Sequence, residues 1–64
     1  MIYVGIDVAK DKHDCCILSS EKREPLDSFK ILNNAEGYQM LLQRIQNAEP
    51  NLRNVKVGLE ATGH

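Results

Sequence analysis

Two acidic residues close two segments of matching composition. Residues 4–7 read VGID and end at Asp7, and residues 57–60 read VGLE and end at Glu60. In each segment a β-branched residue, a glycine and a large aliphatic residue precede the acid, a pattern typical of a strand that ends in a carboxylate. Side chains alternate between the two faces of a strand, so each acid shares a face with its glycine. Ile6 and Leu59 are predicted to point the other way, toward a covering helix.

Two carboxylates placed in this way predict a divalent metal site. If the strands are parallel neighbours in register, the acids stand about 4.8 Å apart, which is the spacing between strands. Mg²⁺ lies about 2.0–2.1 Å from its oxygen ligands, so one ion can bridge the pair, whereas without a cation the two charges repel. The chemistry indicated is metal-assisted phosphodiester cleavage, with glycines that let a substrate backbone approach. A solvated strand end or a helix cap is the alternative for either acid alone.

The hydrophobic pattern predicts the elements that position these acids. Strands are expected over residues 1–8, 14–19, 27–32 and 55–60, with a helix after the third strand that Pro50 ends. This β-β-β-α-β order predicts an α/β fold with a mixed sheet, in which a right-handed helical crossover lays the fourth strand parallel to the first. Carboxyl ends of parallel strands are the edge where ligands bind in open α/β sheets.

Two further features concern the predicted helix. Asn33 and Glu36 resemble a capping box at its start. A stripe of apolar residues at positions i, i+3, i+4 and i+7 is predicted to be core: Tyr38, Leu41, Leu42 and Ile45.

Composition bounds the class of protein. The chain has 64 residues and a formal net charge of -1, which excludes a multidomain chain and a tail that binds nucleic acid by bulk charge. No apolar run approaches the roughly 18 residues of a membrane span, and no secretory signal is recognisable, so a cytoplasmic protein with no membrane partner is expected. A domain of about 60 residues is marginal on its own. The adjacent Cys15 and Cys16 are expected to be small apolar strand residues that form no disulfide with each other.

The remaining polar residues near the first strand are given structural roles. Asp11 is assigned to the hairpin turn and Asp14 to a strand start, rather than to the metal site. Lys10, Lys12 and His13 are predicted to lie in a solvated turn, with contact to a phosphate backbone as the alternative.

The combination of motifs resembles a known family. The similarity is to the amino-terminal region of the DEDD transposases of bacterial insertion sequences. It is carried by residues 3–10 (YVGIDVAK), Asp14 at the opening of a short strand, the paired asparagines at 33–34, Gly37 with Tyr38, and residues 58–64 (GLEATGH). The resemblance runs over essentially the whole chain. It implies a ribonuclease H-like (RuvC-like) fold, of which residues 1–64 form an amino-terminal fragment.

The resemblance also implies function. Asp7 matches the first and Glu60 the second of four acids that bind divalent metal, Mg²⁺ or Mn²⁺, for DNA cleavage and strand transfer. The third and fourth acids are expected in later segments, so the fragment should bind metal weakly and be inactive alone. DNA is the implied partner, some members use a guide RNA, and a homo-oligomer is expected. Thr62 is a candidate N-cap of a next helix or, like His64, a residue that positions substrate.

Two other classes of function stay open. The actin-like sugar kinases also begin with a strand bearing Gly-Ile-Asp, but small residues follow there to cradle phosphate, and Val8 suits such a loop poorly. Alternatively, the chain is a non-catalytic module that self-associates through the sheet face that the helix leaves uncovered.

Overall fold

The structure is a computed structural model, and it describes residues 1–61. Three strands come first: β1 (Ile2–Val8), β2 (Lys12–Ser19) and β3 (Asp27–Leu32). They are followed by the helix α1 (Ala35–Ala48), a short 3-10 turn (Leu52–Asn54) and β4 (Val55–Ala61). The predicted β-β-β-α-β order is therefore confirmed. The roles considered for Thr62 and His64 lie outside the described residues.

The four strands form one mixed sheet in the order β3-β2-β1-β4. β2 pairs antiparallel with both β1 and β3, while β4 pairs parallel with β1, as the helical crossover requires. β1 thus lies between two partners, and within residues 1–61 β4 has a partner on one side alone. This arrangement is a partial ribonuclease H-like α/β fold, as predicted.

The core lies between the sheet and α1. It consists of buried residues from the helix-facing sides of the first three strands and from α1: Ile2, Val4, Ile6, Cys15, Ile17, Ile31, Leu41 and Ile45. Cys15 is buried and Cys16 half-buried, both thiols are free, and alternation places them on opposite faces of β2.

The helix covers less of the sheet than the sequence pattern predicts. α1 packs on β3 and β2. On β4, Leu59 is 72% exposed and Val57 is 54% exposed. The expectation that Leu59 packs against the helix was therefore wrong, although Ile6 on β1 is buried. In the same way Tyr38 and Leu42 are about half exposed, so only Leu41 and Ile45 of the predicted stripe belong to the core.

The start of α1 is fixed by its cap and by a close backbone approach. Asn34, not the predicted Asn33, is the N-cap, and its Oδ1 accepts a hydrogen bond from the Gly37 N–H at 2.8 Å. At Gly37 the helix backbone runs against Leu32 at the end of β3, so close that a Cβ would lie 2.0 Å from the Leu32 carbonyl oxygen. The first turn of α1 is thereby held against the end of the sheet. Asn33 is left free for another role, described below.

Candidate metal centre

The parallel pairing of β1 with β4 brings the two matched acids side by side. The register sets Gly5 opposite Gly58 and Asp7 opposite Glu60. Both acids stand at the carboxyl ends of their strands, and alternation directs them to the sheet face opposite α1. The geometric condition set by the sequence, two neighbouring carboxylates on one face, is therefore met.

The two glycines give this face its shape. An added Cβ at Gly5 or Gly58 would have no heavy atom within 4 Å, so the backbone beneath the acids is open. A cavity of about 470 Å³ lies over it, and residues of all four strands line this cavity. Its lining includes Asp7, Glu60, Asp14 and Cys16. A ligand that enters this cavity can approach the strand backbone as well as the carboxylates.

Asp7 and Glu60 differ in environment. Asp7 lies on the interior strand β1 and is half-buried, and its Oδ1 is shielded from solvent with no hydrogen-bond partner among the described residues. Glu60 lies on β4 and is exposed. A buried carboxylate oxygen normally has a partner, because burial without one costs free energy. The unpartnered Oδ1 therefore suits an oxygen ligand of a divalent cation, which the donor set of two carboxylates also favours.

Asp14 and Asp11 were predicted to have structural roles; Asp14 is the third residue of β2 rather than its start, because β2 begins at Lys12. Asp14 pairs with Asp7 in the β1–β2 register, but it is exposed and its carboxylate lies 3.8 Å from Lys30 Nζ on β3. Asp11 is exposed in the loop before β2. Across residues 1–61, no group of three or more His, Cys, Asp or Glu residues is arranged to hold a metal ion. The part of the site described here is thus a pair of acids.

His13 is placed differently from the sequence prediction. It lies inside β2, opposite Ile31 of β3, and is 3% exposed. Lys10 is exposed in the loop as expected, and Lys12 is exposed but is the first residue of β2 rather than part of the turn. The prediction of a solvated turn at His13 was wrong, because β2 begins two residues earlier than the hydrophobic pattern indicates. Both ring nitrogens of His13 are engaged: Nδ1 with the Ala9 N–H and Nε2 with the Tyr38 hydroxyl.

Comparison with known proteins decides the family. A family model for DEDD transposases of the IS110 type, described as Transposase, matches residues 4–64. The chain belongs to this transposase family. No curated protein and no solved structure matches it.

Membership in the transposase family has direct consequences for the candidate site. DEDD transposases generally use divalent metal, and a transposase acts on DNA, so the family implies a DNA-cleaving enzyme in full length. The kinase alternative receives no support from the family match. Among residues 1–61, no helix is long and apolar enough to cross a membrane.

Proposed function

We propose that Asp7 and Glu60 bind a divalent metal ion and are two of the acids with which the transposase cleaves DNA and transfers strands. The observation that carries this proposal is the register that pairs Asp7 with Glu60 at the ends of parallel strands. The solvent-shielded, unpartnered Asp7 Oδ1 and the open backbone at Gly5 and Gly58 support it.

The role of each residue follows from its position. A bound Mg²⁺ or Mn²⁺ supplies polarisation of a phosphate oxygen and activation of water or a hydroxyl. Asp7, on the interior strand, is the fixed ligand, and Glu60, exposed on β4, adjusts to complete the pair. Gly5 and Gly58 leave the space in which the phosphodiester backbone reaches the carboxylates.

Residues 1–64 are, in this proposal, the amino-terminal fragment of a RuvC-like domain that supplies half of a four-acid site. Two carboxylates leave most coordination positions of a six-coordinate ion to water, so metal binding by the fragment alone should be weak and the fragment should not cleave DNA. The remaining acids would come from other parts of the full-length protein.

Substitution in the full-length transposase tests the proposal. Asp7→Asn and Glu60→Gln should each abolish Mg²⁺- or Mn²⁺-dependent DNA strand cleavage while the protein stays folded by circular dichroism. Asp11→Asn and Glu36→Gln are matched controls, because both acids are exposed and neither lies on β1 or β4; they should retain cleavage. Retained cleavage by Asp7→Asn or Glu60→Gln would remove that residue from the catalytic set.

We also propose that the chain self-associates. The observation that favours this is the exposure of Val57 and Leu59, which lie on the same sheet face as α1 but on a strand that α1 does not cover, rather than on the opposite face that the sequence indicated. Sedimentation across concentration should show association of the wild-type chain and its loss in Leu59→Lys, with Lys56→Arg as the control on the same strand. A wild-type chain that is monomeric and folded at high concentration would contradict this proposal.

A guide RNA stays a prediction from the family resemblance. Copurification of RNA with the full-length transposase, followed by sequencing, tests it. Recovery of element-encoded RNA would support the prediction, and recovery of none would count against it.

A further inference from the structure

The loop that follows β1 is held by hydrogen bonds at three successive residues. This β1–β2 loop begins two residues after Asp7 and consists of Ala9, Lys10 and Asp11. The Ala9 N–H donates to His13 Nδ1 at 3.1 Å. The Lys10 carbonyl accepts from Asn33 Nδ2 at 3.2 Å, and the Asp11 carbonyl accepts from the Asn33 N–H at 3.0 Å. Every residue of the loop is therefore bonded to β2 or to the junction between β3 and α1.

In each of the hydrogen bonds that hold the loop, the donor and the acceptor can be assigned. Because the Ala9 N–H is a donor, His13 Nδ1 must be the acceptor and carries no proton. The proton of the neutral ring is then on Nε2, which donates to the Tyr38 hydroxyl 3.2 Å away. The hydroxyl in turn donates to Asn33 Oδ1. Asn33 Nδ2 is consequently turned toward the loop, where it meets Lys10.

The His13 ring is thus held from two sides, by the Ala9 N–H at Nδ1 and by a residue of the helix, Tyr38, at Nε2. Tyr38 contacts neither Ala9 nor Lys10 by a hydrogen bond, yet it is the group that accepts from Nε2 and orients Asn33. Without its hydroxyl, the Nε2–H loses its acceptor and Asn33 loses a donor, so the ring orientation that presents Nδ1 to the Ala9 N–H is less well fixed. Close packing of Gly37 on Leu32 brings the neighbouring Tyr38 into reach of β2.

We infer that His13 is a positioning residue for the metal centre, whose ring is held in its working orientation by Tyr38. The inference rests on the proposed function of Asp7 and Glu60 and adds to it. The buried imidazole fixes the backbone just beyond Asp7, so the carboxylate keeps its place on the interior strand opposite Glu60. His13 touches neither substrate nor metal in this role, and acts through the Ala9 N–H.

The test uses Tyr38→Phe, with Tyr3→Phe as the matched control. Tyr3 and Tyr38 are similarly exposed, at 42% and 47%, but Tyr3 lies on the opposite sheet face from His13. In Tyr38→Phe the ¹⁵N signal of His13 Nε2 should shift because its hydrogen-bond acceptor is lost, and the Ala9 amide should exchange about fivefold faster, which corresponds to loss of about 1 kcal/mol for one hydrogen bond. Tyr3→Phe should change neither quantity.

Metal binding separates positioning from simple stabilisation. Mn²⁺ affinity, read from paramagnetic broadening around Asp7 and Glu60, should fall about fivefold in Tyr38→Phe and not in Tyr3→Phe. His13→Asn keeps an acceptor near the place of Nδ1, so it should recover part of the Ala9 protection and Mn²⁺ affinity that His13→Ala loses. This rescue is not expected if the ring acts through its bulk alone.

Each result decides one of the two proposals. Unchanged Ala9 exchange in Tyr38→Phe, or faster exchange with unchanged Mn²⁺ affinity, overturns the positioning role of His13. A wild-type chain that binds no Mn²⁺, but whose His13 signals and Ala9 exchange respond as expected, refutes the metal pair in this chain and supports the control of the loop by His13.

Discussion

Replacement of Gly37 by alanine directly tests the close packing of α1 against the end of β3. The added Cβ would lie 2.0 Å from the Leu32 carbonyl oxygen and 2.9 Å from its carbonyl carbon. Both are backbone atoms at the end of β3, so no side-chain rotation relieves the overlap. Ordinary contact begins at 3.4 Å, so α1 or the end of β3 must move by about 1.4 Å.

Two opposing effects set the size of the change in stability. Alanine is favoured over glycine in a helix interior by about 1 kcal/mol, and Gly37, in the first turn of α1, gains at most this much. Overpacking typically costs about 1–3 kcal/mol, and an overlap with backbone belongs at the upper end of that range. The difference is a net loss of about 2 kcal/mol. For a chain of this size the total stability is on the order of 3–10 kcal/mol, so the loss is a large share of it.

Urea unfolding followed by circular dichroism measures this difference, with two matched controls in the same chain. Gly5→Ala and Gly58→Ala make the same substitution where an added Cβ has no heavy atom within 4 Å. They should be neutral or stabilising by about 0.5–1 kcal/mol, because glycine weakens a strand interior. A Gly37→Ala variant as stable as the wild type would refute the seating of α1 described here, as would an equal loss in Gly5→Ala.

Three other predictions follow from the described contacts. Cys16 should react with a thiol reagent well before Cys15, as mass spectrometry after brief labelling would reveal, because Cys15 is buried and burial raises the pKa of its thiol. Since that pKa is higher in the folded than in the unfolded chain, folding stability should decline as pH rises above about 8.5, and Cys15→Ala should flatten the decline in pH-dependent unfolding. Arg44→Lys should lower the free energy of unfolding in urea by about 1 kcal/mol. Arg44 Nη1 contacts both Asp27 carboxylate oxygens at 2.8 Å, and its guanidinium lies 4.6 Å from the Phe29 ring centre. Equal stability of the variant would mean that these contacts do not stabilise the fold.

The pairing of the two acids could be predicted from sequence because it depends on two simple regularities. Alternation along a strand puts Asp7 on the face of Gly5 and Glu60 on the face of Gly58. A right-handed crossover through one helix can then make the two strands parallel neighbours. The register itself was assumed from the sequence, and the structure supplies it: with Gly5 opposite Gly58, equal spacing from glycine to acid sets Asp7 opposite Glu60. Each step is local or topological, and neither requires knowledge of side-chain packing.

Coverage of the sheet could not be predicted in the same way. Alternation says that Leu59 shares the face on which α1 lies, but it does not say which strands the helix reaches. The helix has 14 residues and follows β3 after a short connection, so it lies over β3 and β2. β4 is two strands away from β2 and is not covered. Leu59 therefore stays exposed although its pattern is that of a core residue.

His13 was missed for a related reason. A histidine beside two lysines and two aspartates has the composition of a turn, and nothing in the local pattern marks it as buried. Its burial comes from Ile31 on the neighbouring strand and Tyr38 on the helix, both far along the chain. The one sequence signal available was parity: His13 shares a face with Cys15 and Ile17, and both are core residues.

The two acids are alike in sequence but unequal in the fold, and the inequality has a consequence for metal binding. β1 has partners on both sides and holds Asp7 half-buried, with one oxygen shielded from solvent and unpartnered. β4 leaves Glu60 exposed, so its side chain must lose rotamer freedom when it binds an ion. Asp7 is already placed, and a preorganised ligand contributes more of the binding free energy. Asp7→Asn should therefore lower Mn²⁺ affinity more than Glu60→Gln in a paired titration, and the reverse order would mean that the exposed acid, not the shielded one, is the principal ligand.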